Sequence, residues 1–317
     1  MALLIGTDEA GYGPNLGPLV ICATAWRIPD ELGDADLFQL LSSAIVRVPA
    51  EGRVAVADSK ALYKSGGGLA ALERGVLTSL AANAHVLGSW REVWQVLAPP
   101  TRSYFDEVPW YAGYDEKLPI DTSAQEITSL AAQLAAALSE SEVTLECVRS
   151  TPVFPSRFNR LLERHASKGA ALSDETLKLV KQVMDSCPAS QVLIRCDKHG
   201  GRNHYGSLLQ KRFPDYLVEV TREGRDESIY RWGPKSRRVE IRFVAKCESY
   251  FPTALASMAA KYLRELAMRA FNAFWQARIT DLRPTAGYPV DARRFKQEIQ
   301  QAQTELGIDD QILWRNK

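Results

Sequence analysis

Two adjacent carboxylates stand near the start of the sequence, where a short apolar run ends. Asp8 and Glu9 follow residues 3–7, which have the length and composition of a strand, and a turn with Gly11 and Gly13 comes next. Adjacent acids at the end of a buried strand are costly to desolvate unless a cation or hydrogen bonds receive them. Glycine lets backbone amides approach an anionic group closely. The stretch predicts a divalent-metal site on the lip of a sheet, with a simple strand-end turn as the alternative.

Two further acids stand at the ends of strong elements. Asp197 follows a strand predicted over 191–196, and Glu248 precedes a helix that Pro252 opens. Strand ends on one edge of an α/β sheet gather in a crevice. Four acids there repel one another unless two divalent cations, about 3.5–4 Å apart, neutralise them. Oxygen ligands favour Mg²⁺ or Mn²⁺ over zinc. Taken singly, the two acids are ordinary turn and helix-terminus residues.

Other residues offer chemistry that the sequence leaves open. His199 and His204 are either ligands or general bases, or surface groups and hydrogen-bond partners of a ligand. Lys60 either contacts a phosphate or is solvated. Segment 222–246 has a local excess of four positive charges, which predicts either a phosphate-contacting ribbon or a solvated sheet face. Five aromatic residues predict either a base-stacking platform or a small core: Trp90, Trp94, Trp110, Tyr111 and Tyr114.

The elements that must position these residues alternate between strands and helices, which predicts an α/β fold with a mixed sheet. Strands are expected over 2–8, 19–28, 54–57, 143–148 and 191–196, with a β meander over 217–246. Helices are expected over 36–47, 69–82, 123–139, 156–165, 173–185, 204–213, 252–279 and 291–305. Residues 85–98 predict a strand and a short helix, and the proline-rich 99–121 a long loop with a lid or protein-docking role. The glycine run 66–68 predicts a hinge.

Composition limits the class of protein. The 317 residues are 46% hydrophobic and 24% charged with a net charge of +1, so the chain buries a substantial core and any nucleic-acid surface is local. No apolar run has the length of a membrane span, and the first strand leaves no room for a signal peptide. Five cysteines without a CxxC motif predict reduced thiols in a cytoplasmic protein. We expect a single domain over 1–317, with an inserted subdomain or loop at 85–141 and a C-terminal tail at 284–317 that packs near the substrate cleft.

The opening stretch Asp8-Glu9-Ala10-Gly11-Tyr12-Gly13-Pro14-Asn15-Leu16-Gly17-Pro18 resembles the DEAGRGPxxGP motif of type 2 ribonucleases H, the ribonuclease HII/HIII group. Later stretches match that family in the same order, although each is weak alone. They are Asp58-Ser59-Lys60, Asp197, Lys246-Cys247-Glu248 followed by residues 254–261, Gly287-Tyr288-Pro289 and Trp314-Arg315. The resemblance covers most of the chain apart from about 85–141 and the meander near 217–243.

The resemblance implies a ribonuclease H-like fold and metal-dependent endonucleolytic cleavage of RNA in RNA–DNA hybrids, or at ribonucleotides embedded in DNA. The products carry a 3′-hydroxyl and a 5′-phosphate. The family's acids fall on Asp8, Glu9, Asp197 and Glu248, which would be catalytic residues and ligands of two Mg²⁺ or Mn²⁺ ions. The turn Gly11-Tyr12-Gly13 would sense the ribose 2′-hydroxyl, and Tyr288 would pack against the sugar beside the cut.

Three positions depart from the family pattern. Tyr12 replaces the central arginine of the family's GRG motif, Glu248 stands where the HII form has Asp, and Lys198 follows Asp197 in place of glycine. These departures keep two alternatives open. One is a nucleic-acid-binding protein with a degenerate active site, and the other is a nuclease of the same fold that cuts DNA junctions.

Overall fold

A seven-stranded mixed sheet lies at the centre of the protein. The computed structural model describes residues 1–64, 67–165 and 167–316; Gly66, in the glycine run predicted as a hinge, lies outside them, as does the side chain of residue 102. The strands are β1 (Ala2–Ala10), β2 (Leu19–Ile28), β3 (Ile45–Val46), β4 (Val54–Ala55), β5 (Thr144–Val153), β6 (Gln191–Asp197), β7 (Glu219–Glu223), β8 (Glu227–Trp232) and β9 (Arg238–Val244).

Seven of these strands form the main sheet in the order β5-β2-β1-β6-β9-β8-β7, and β3 pairs with β4 separately. The predicted hairpin of β1 and β2 is antiparallel, as is the pair of β2 and β5. β1, β6 and β9 run parallel, and β9, β8 and β7 form an antiparallel meander as predicted. The predicted fold class, an α/β mixed sheet flanked by helices, is confirmed.

Helices cover both faces of the sheet. They are α1 (Leu37–Leu40), α2 (Ser59–Leu62), α3 (Ala70–Ala82), α4 (Trp90–Leu97), α5 (Arg102–Glu107), α6 (Ala124–Glu140), α7 (Pro155–Arg164), α8 (Lys168–Ser186), α9 (Gly206–Arg212), α10 (Phe251–Gln276), α11 (Pro289–Glu305) and α12 (Asp310–Leu313). α10, with α3, α4 and α6, packs on one face, and α8 with α9 packs on the other. None of the described helices is long and apolar enough to cross a membrane.

The start of α10 lies directly against β1, at a glycine. A Cβ on Gly6 would stand 2.2 Å from the carbonyl carbon of Pro252 and the amide nitrogen of Thr253. Only glycine permits that approach of helix to strand. The Thr24 hydroxyl in β2 also donates to the Pro252 carbonyl oxygen at 2.8 Å. These contacts fix the first turn of α10, and the residues just before it, beside the carboxyl end of β1.

Several predicted elements are wrong in extent or type. The helix predicted over 36–47 ends at Leu40, and Ile45 and Val46 form β3, because β-branched residues with apolar spacing also suit a short strand. The helix predicted over 173–185 starts at Lys168, because the Ser167 side chain accepts a hydrogen bond from the Ala170 amide and caps it there. Residues 85–89 form no strand, and β4 is shorter than the predicted 54–57.

The segment predicted as a long loop, 99–121, contains helix α5 and a preceding 3₁₀ turn at Pro99–Thr101. Aromatic rings of this segment belong to the main core. The ring centroids of Trp90 and Phe105 are 4.9 Å apart, and those of Phe105 and Phe154, which follows β5, are 6.2 Å apart. Trp110 packs edge-on against Phe271 of α10, with ring centroids 5.1 Å apart. The aromatic residues are therefore neither a base-stacking platform nor a separate small core.

Candidate active site

Asp8 and Glu9 lie within β1 rather than after it, which corrects the sequence prediction. β2 continues the antiparallel ladder past them, pairing Asp8 with Cys22, Glu9 with Ile21 and Ala10 with Val20. Neighbouring residues of a strand point to opposite faces of the sheet. The backbone that carries both acids is therefore held by strand pairing, which fixes where each side chain leaves the strand. Asp8 is buried.

The parallel register brings the third acid beside the first. Thr7 of β1 pairs with Cys196 of β6, so Asp8 and Asp197 are the next residues along two adjacent strands. The Cys247 amide donates to Asp197 Oδ1 at 3.3 Å, which ties the end of β6 to the 3₁₀ turn Cys247–Ser249. Glu248 is the middle residue of that turn, and α10 begins shortly after the turn, at Phe251. Three separate chain segments thus meet at one end of the sheet.

The electrostatics of the four acids agree with this placement. Burial raises the pKa of Asp8 to about 7, and repulsion from Asp197 and Glu248 adds to the rise. The pKa of Glu9 lies well above its usual value because of burial and the charges of Asp8, Asp197 and Glu248. Burial, then Asp197, also raises the pKa of Glu248. Each of these carboxyl groups therefore lies within electrostatic range of the others, and their charged forms are disfavoured in the absence of a cation.

Hydrogen bonds hold Asp8 on its inner side. The Glu9 amide donates to Asp8 Oδ1 at 2.8 Å, and a hydrogen bond with Ser257 of α10 lowers the pKa of Asp8 against the effect of burial. Ser257 Oγ also lies 3.1 Å from Ser59 Oγ and accepts a hydrogen bond from the Ser59 amide at 3.3 Å. Ser59 belongs to the Asp-Ser-Lys stretch, so this serine pair links that stretch and α10 to the first acid.

Lys60 is a cation beside these acids. Burial by itself lowers the pKa of Lys60, but the charges of Asp58, Asp8 and Glu248 raise it above its usual value. The Asp58 side chain accepts from the Lys60 amide at 3.0 Å and caps α2. The lysine therefore stays protonated at the margin of the carboxylate cluster, where a phosphate would also lie.

The donor set suits a hard divalent cation. It consists of carboxylate oxygens, and a cation would relieve the repulsion that helps to raise the pKa values of Asp8, Glu9 and Glu248. In the described part of the chain, no group of three or more His, Cys, Asp or Glu side chains stands in a ready-made metal-ligand arrangement. The predicted ligand set therefore stays a prediction.

Two buried arginines hold the glycine turn that follows Asp8 and Glu9. Arg264 of α10 and Arg315 of the tail are each only 1% exposed. Arg315 Nη2 donates to the carbonyl oxygens of Gly11, at 2.7 Å, and of Pro14. Arg264 Nη2 donates to the carbonyl oxygens of Ala286, at 2.9 Å, and of Leu16, at 3.4 Å. Several guanidinium nitrogens of the pair find no partner among the described residues.

The backbone of the turn has little freedom. Gly11 adopts φ +86°, and a Cβ there would stand 2.5 Å from Arg264 Nε and 2.6 Å from the Pro18 carbonyl oxygen. The Arg315 amide donates to the Asn15 carbonyl oxygen at 2.8 Å, and Trp314 forms a bridge with Leu16. The C-terminal tail thus contacts the turn directly.

The other residues predicted to bind substrate surround this turn. Tyr288 is 52% exposed, and its Cε1 lies 3.9 Å from the position that a Cβ on Gly13 would take. The Tyr12 hydroxyl lies above Gly200, 3.1 Å from where a Cβ would stand there. Burial and the charge of Glu9 raise the pKa of Tyr12. The Tyr12 side chain therefore lies against the loop after Asp197, whereas the Tyr288 side chain is exposed to solvent.

The histidines have different surroundings. His199 is buried, not on the surface, and its ring packs edge-on against Tyr205 and Phe243. Its Nδ1 lies 3.0 Å from Ser173 Oγ, and burial lowers its pKa to about 3. His204 is exposed and pairs with Glu223 at 2.6 Å. A neutral, enclosed His199 is suited to packing behind Asp197 and not to carrying protons near neutral pH.

The basic segment 222–246 is partly ion-paired. Glu240 lies 2.6 Å from both Arg231 and Arg242, and Arg238 lies 2.7 Å from Glu219, which precedes the segment. These pairs place part of the segment on an ion-paired sheet face, and the phosphate-contacting ribbon stays a prediction. Sequence reasoning gave no role to Arg264 or to Ser257, although Ser257 lies in the matched stretch 254–261; polar side chains within an otherwise apolar helix were the available signals.

No protein-family model matches the sequence, and no curated protein matches it either. Solved structures similar to this chain include the ribonuclease H2 of Pyrococcus horikoshii OT3, with 15% identity, 98% of this chain and 92% of that chain covered, and a TM-score of 0.44. Another is the ribonuclease HII of Archaeoglobus fulgidus, in a complex with PCNA, with 13% identity, coverages of 99% and 94%, and a TM-score of 0.41. Bst-RNase HIII in complex with Mn²⁺ has 14% identity, coverages of 99% and 66%, and a TM-score of 0.40.

They are all type 2 ribonucleases H. The opening stretch of this sequence resembles the motif of the same group, and these low identities and TM-scores carry no argument about what this chain does. What the chain does has to be judged from its own site residues.

Proposed function

We propose that this protein is a metal-dependent endonuclease that hydrolyses the RNA strand of RNA–DNA hybrids, or DNA at embedded ribonucleotides, leaving a 3′-hydroxyl and a 5′-phosphate. The observation that carries the proposal is the meeting of Asp8, Glu9, Asp197 and Glu248 at one end of the sheet, beside a rigid glycine turn. Such a cluster of destabilised carboxylates is typical of a functional site.

The four acids would hold two divalent cations, Mg²⁺ or Mn²⁺, whose chemistry is to activate the attacking water and stabilise the leaving 3′ oxygen. The residues of the chain position the substrate. The backbone of Gly11, Tyr12 and Gly13 would contact the 2′-hydroxyl that distinguishes RNA from DNA. Lys60 would pair with a phosphate oxygen, and Tyr288 would pack against the sugar beside the cut.

The test is a cleavage assay with end-labelled substrates in Mg²⁺ and in Mn²⁺. A long RNA–DNA hybrid, a DNA duplex with one ribonucleotide, and an all-DNA duplex are compared. We expect cleavage only where ribonucleotides are present, and Asp197→Asn should reduce it by more than about 100-fold, since even partners of metal ligands contribute 10- to 100-fold. Asp185→Asn is the control, because Asp185 is exposed and pairs with Lys181 on α8. Undiminished cleavage by Asp197→Asn would contradict the proposal.

A second candidate function is nucleic-acid binding without catalysis. Tyr12 in place of the family's arginine, and the lack of a ready-made ligand arrangement among the described side chains, favour it. Tight hybrid binding with no cleavage in either metal, and no calorimetric Mn²⁺ site dependent on the four acids, would establish this alternative. Cleavage restricted to branched DNA would instead indicate a junction nuclease of the same fold.

A further inference from the structure

A cavity of about 590 Å³ lies away from the carboxylate cluster, between α5, β5, α7 and α8. None of the four acids lines it. Arg149, Ser150, Thr151 and Pro152 are consecutive residues of β5, and all four line the cavity. Because side chains alternate between faces along a strand, one cavity reaches four successive residues only from the open edge of the strand.

β5 is the strand whose edge is open there. It is the terminal strand of the main sheet and pairs with β2 alone. Pro152 is compatible with that position, because an edge strand tolerates a residue without an N–H. Two strand spacings, or roughly 10 Å, separate β5 from β1 and its acids. The cavity is therefore a second concave feature of the fold, distinct from the proposed active site.

The walls of the cavity are mainly apolar and include an aromatic pair. Tyr104 stacks on Phe154 with ring centroids 4.1 Å apart and an interplanar angle of 14°. Leu179 and Val183, one turn apart on α8, line the other side. Small-molecule sites typically enclose about 300–1,000 Å³ behind apolar and aromatic walls with a few convergent polar groups. These walls suit a flat apolar ring.

The charge of the lining is positive. Arg149, Arg160 and Lys178 line the cavity and form no ion pair with any residue in the described ranges. Arg157, the fourth cation, is paired with the buried Glu175. The described lining contains no carboxylate, and Glu107 is the acid that acts on Tyr104 from outside it. Arg149 also donates to the Val96 carbonyl oxygen at 2.8 Å. Three cations without an ion-pair partner in the described ranges, placed around an apolar cavity, favour an anionic ligand.

We propose that this cavity binds a small aromatic anion, a planar ring that carries a phosphate or a carboxylate group. The ring packs between Tyr104 and the α8 residues Leu179 and Val183. The anionic group lies among Arg149, Arg160 and Lys178. Neither the proposed nuclease activity nor its metal ions are needed for this binding.

Calorimetric titration of the full chain, in the presence of EDTA, tests the proposal with four probes. We expect 1-naphthyl phosphate and 1-naphthoate to bind with one-to-one stoichiometry. 1-Naphthol, which has only the ring, and inorganic phosphate, which has only the anion, should bind at least about tenfold more weakly, since each lacks one set of contacts. Equal affinity for inorganic phosphate and 1-naphthyl phosphate would overturn the proposal. So would saturable binding of an acidic peptide with none of the aromatic anions.

Variants locate the binding within the cavity. Arg160→Gln and Lys178→Gln should each weaken 1-naphthyl phosphate binding by about tenfold, the usual effect of losing a charged hydrogen bond. Arg164→Gln and Lys181→Gln, on the same helices but outside the cavity, should bind as the unmodified chain does. Ser186→Trp, at the rim, should block the ring. Unchanged affinity in all three cavity variants, with circular dichroism showing intact folds, would place the probe elsewhere and refute the assignment.

Discussion

Arg315 Nη2 donates a hydrogen bond to the Gly11 carbonyl oxygen at 2.7 Å, joining residues 304 positions apart in the sequence. Arg315 is almost fully buried, and its guanidinium carbon lies 4.8 Å from the centroid of the Phe158 ring. Burial, and then repulsion from Arg264, lower the pKa of Arg315 to about 9. The end of the chain thus fixes the turn that follows the first two acids, and the turn is rigid before any substrate arrives.

Arg315→Lys should therefore destabilise the protein although the charge is kept. A lysine cannot reproduce the planar fork that contacts Gly11 and Pro14 together. Loss of a charged hydrogen bond predicts a fall of about 2 kcal/mol in the free energy of unfolding, measured by urea denaturation. Arg293→Lys, on the exposed side of α11, is the matched control and should change stability little. Equal stability of the two variants would contradict this role for Arg315.

Gly11→Ala should be more harmful than Gly13→Ala in the same turn. Gly11 has φ +86° and would place a Cβ against Arg264 and the Pro18 carbonyl, whereas a Cβ on Gly13 meets only Tyr288 at 3.9 Å. A strained backbone position costs about 1–3 kcal/mol, and the close contacts add to it. Thermal and urea denaturation should show Gly11→Ala to be the less stable variant by at least about 2 kcal/mol. Similar stability of both variants would mean that the turn relaxes.

Without metal ions, the stability of the protein should fall as the pH rises from about 4 to 7. The pKa of Asp8 rises from 3.8 to about 7 on folding because of burial, so the folded state binds a proton in this window that the unfolded state has released. The free energy of unfolding then decreases with increasing pH. Asp8→Asn removes the contribution of Asp8 to this dependence, so in EDTA it should be more stable than the unmodified chain at pH 8 and similar to it at pH 4.

At pH 8 the free energy of unfolding of Asp8→Asn should exceed that of the unmodified chain by more than about 1 kcal/mol, since one pKa unit corresponds to about 1.4 kcal/mol. Asp185→Asn, at an exposed i,i+4 pair with Lys181, should show no such pH dependence. Urea denaturation at the two pH values, with EDTA throughout, gives the comparison. A stabilisation of Asp8→Asn that is the same at both pH values would show that charge at Asp8 is not its cause.

Glu73→Ala should strongly destabilise the segment before α6. The Glu73 carboxylate, within α3, accepts from the amides of Ile120, Asp121 and Thr122 at 2.6, 2.8 and 3.1 Å. Removing it leaves three amides without their acceptor, which predicts a loss of about 3–5 kcal/mol, as for other buried charged partners. Hydrogen exchange should then rise at these three amides. Glu126→Ala, at a half-exposed pair with Arg74, is the control and should cost less than about 1 kcal/mol.

Local sequence patterns are sufficient to predict which chemical groups are available to this protein. Adjacent acids after an apolar run, glycines with a proline in the turn, and two further acids at the ends of elements are local patterns. Local patterns predict the strands and helices that carry them, because burial repeats every two residues in a strand and every 3.6 in a helix. The mixed sheet, the β1–β2 hairpin and the meander were predictable for this reason.

The packing of distant elements sets how these groups are held. The register of β1 on β6 sets Asp8 beside Asp197, and the turn before α10 adds Glu248. The partners of Gly11 come from residues about 250 and 300 positions away, Arg264 and Arg315. Contacts between distant residues depend on the packing of whole elements, which no local pattern specifies. Helix ends at Leu40 and Lys168 likewise followed from neighbours and caps that outweigh apolar spacing.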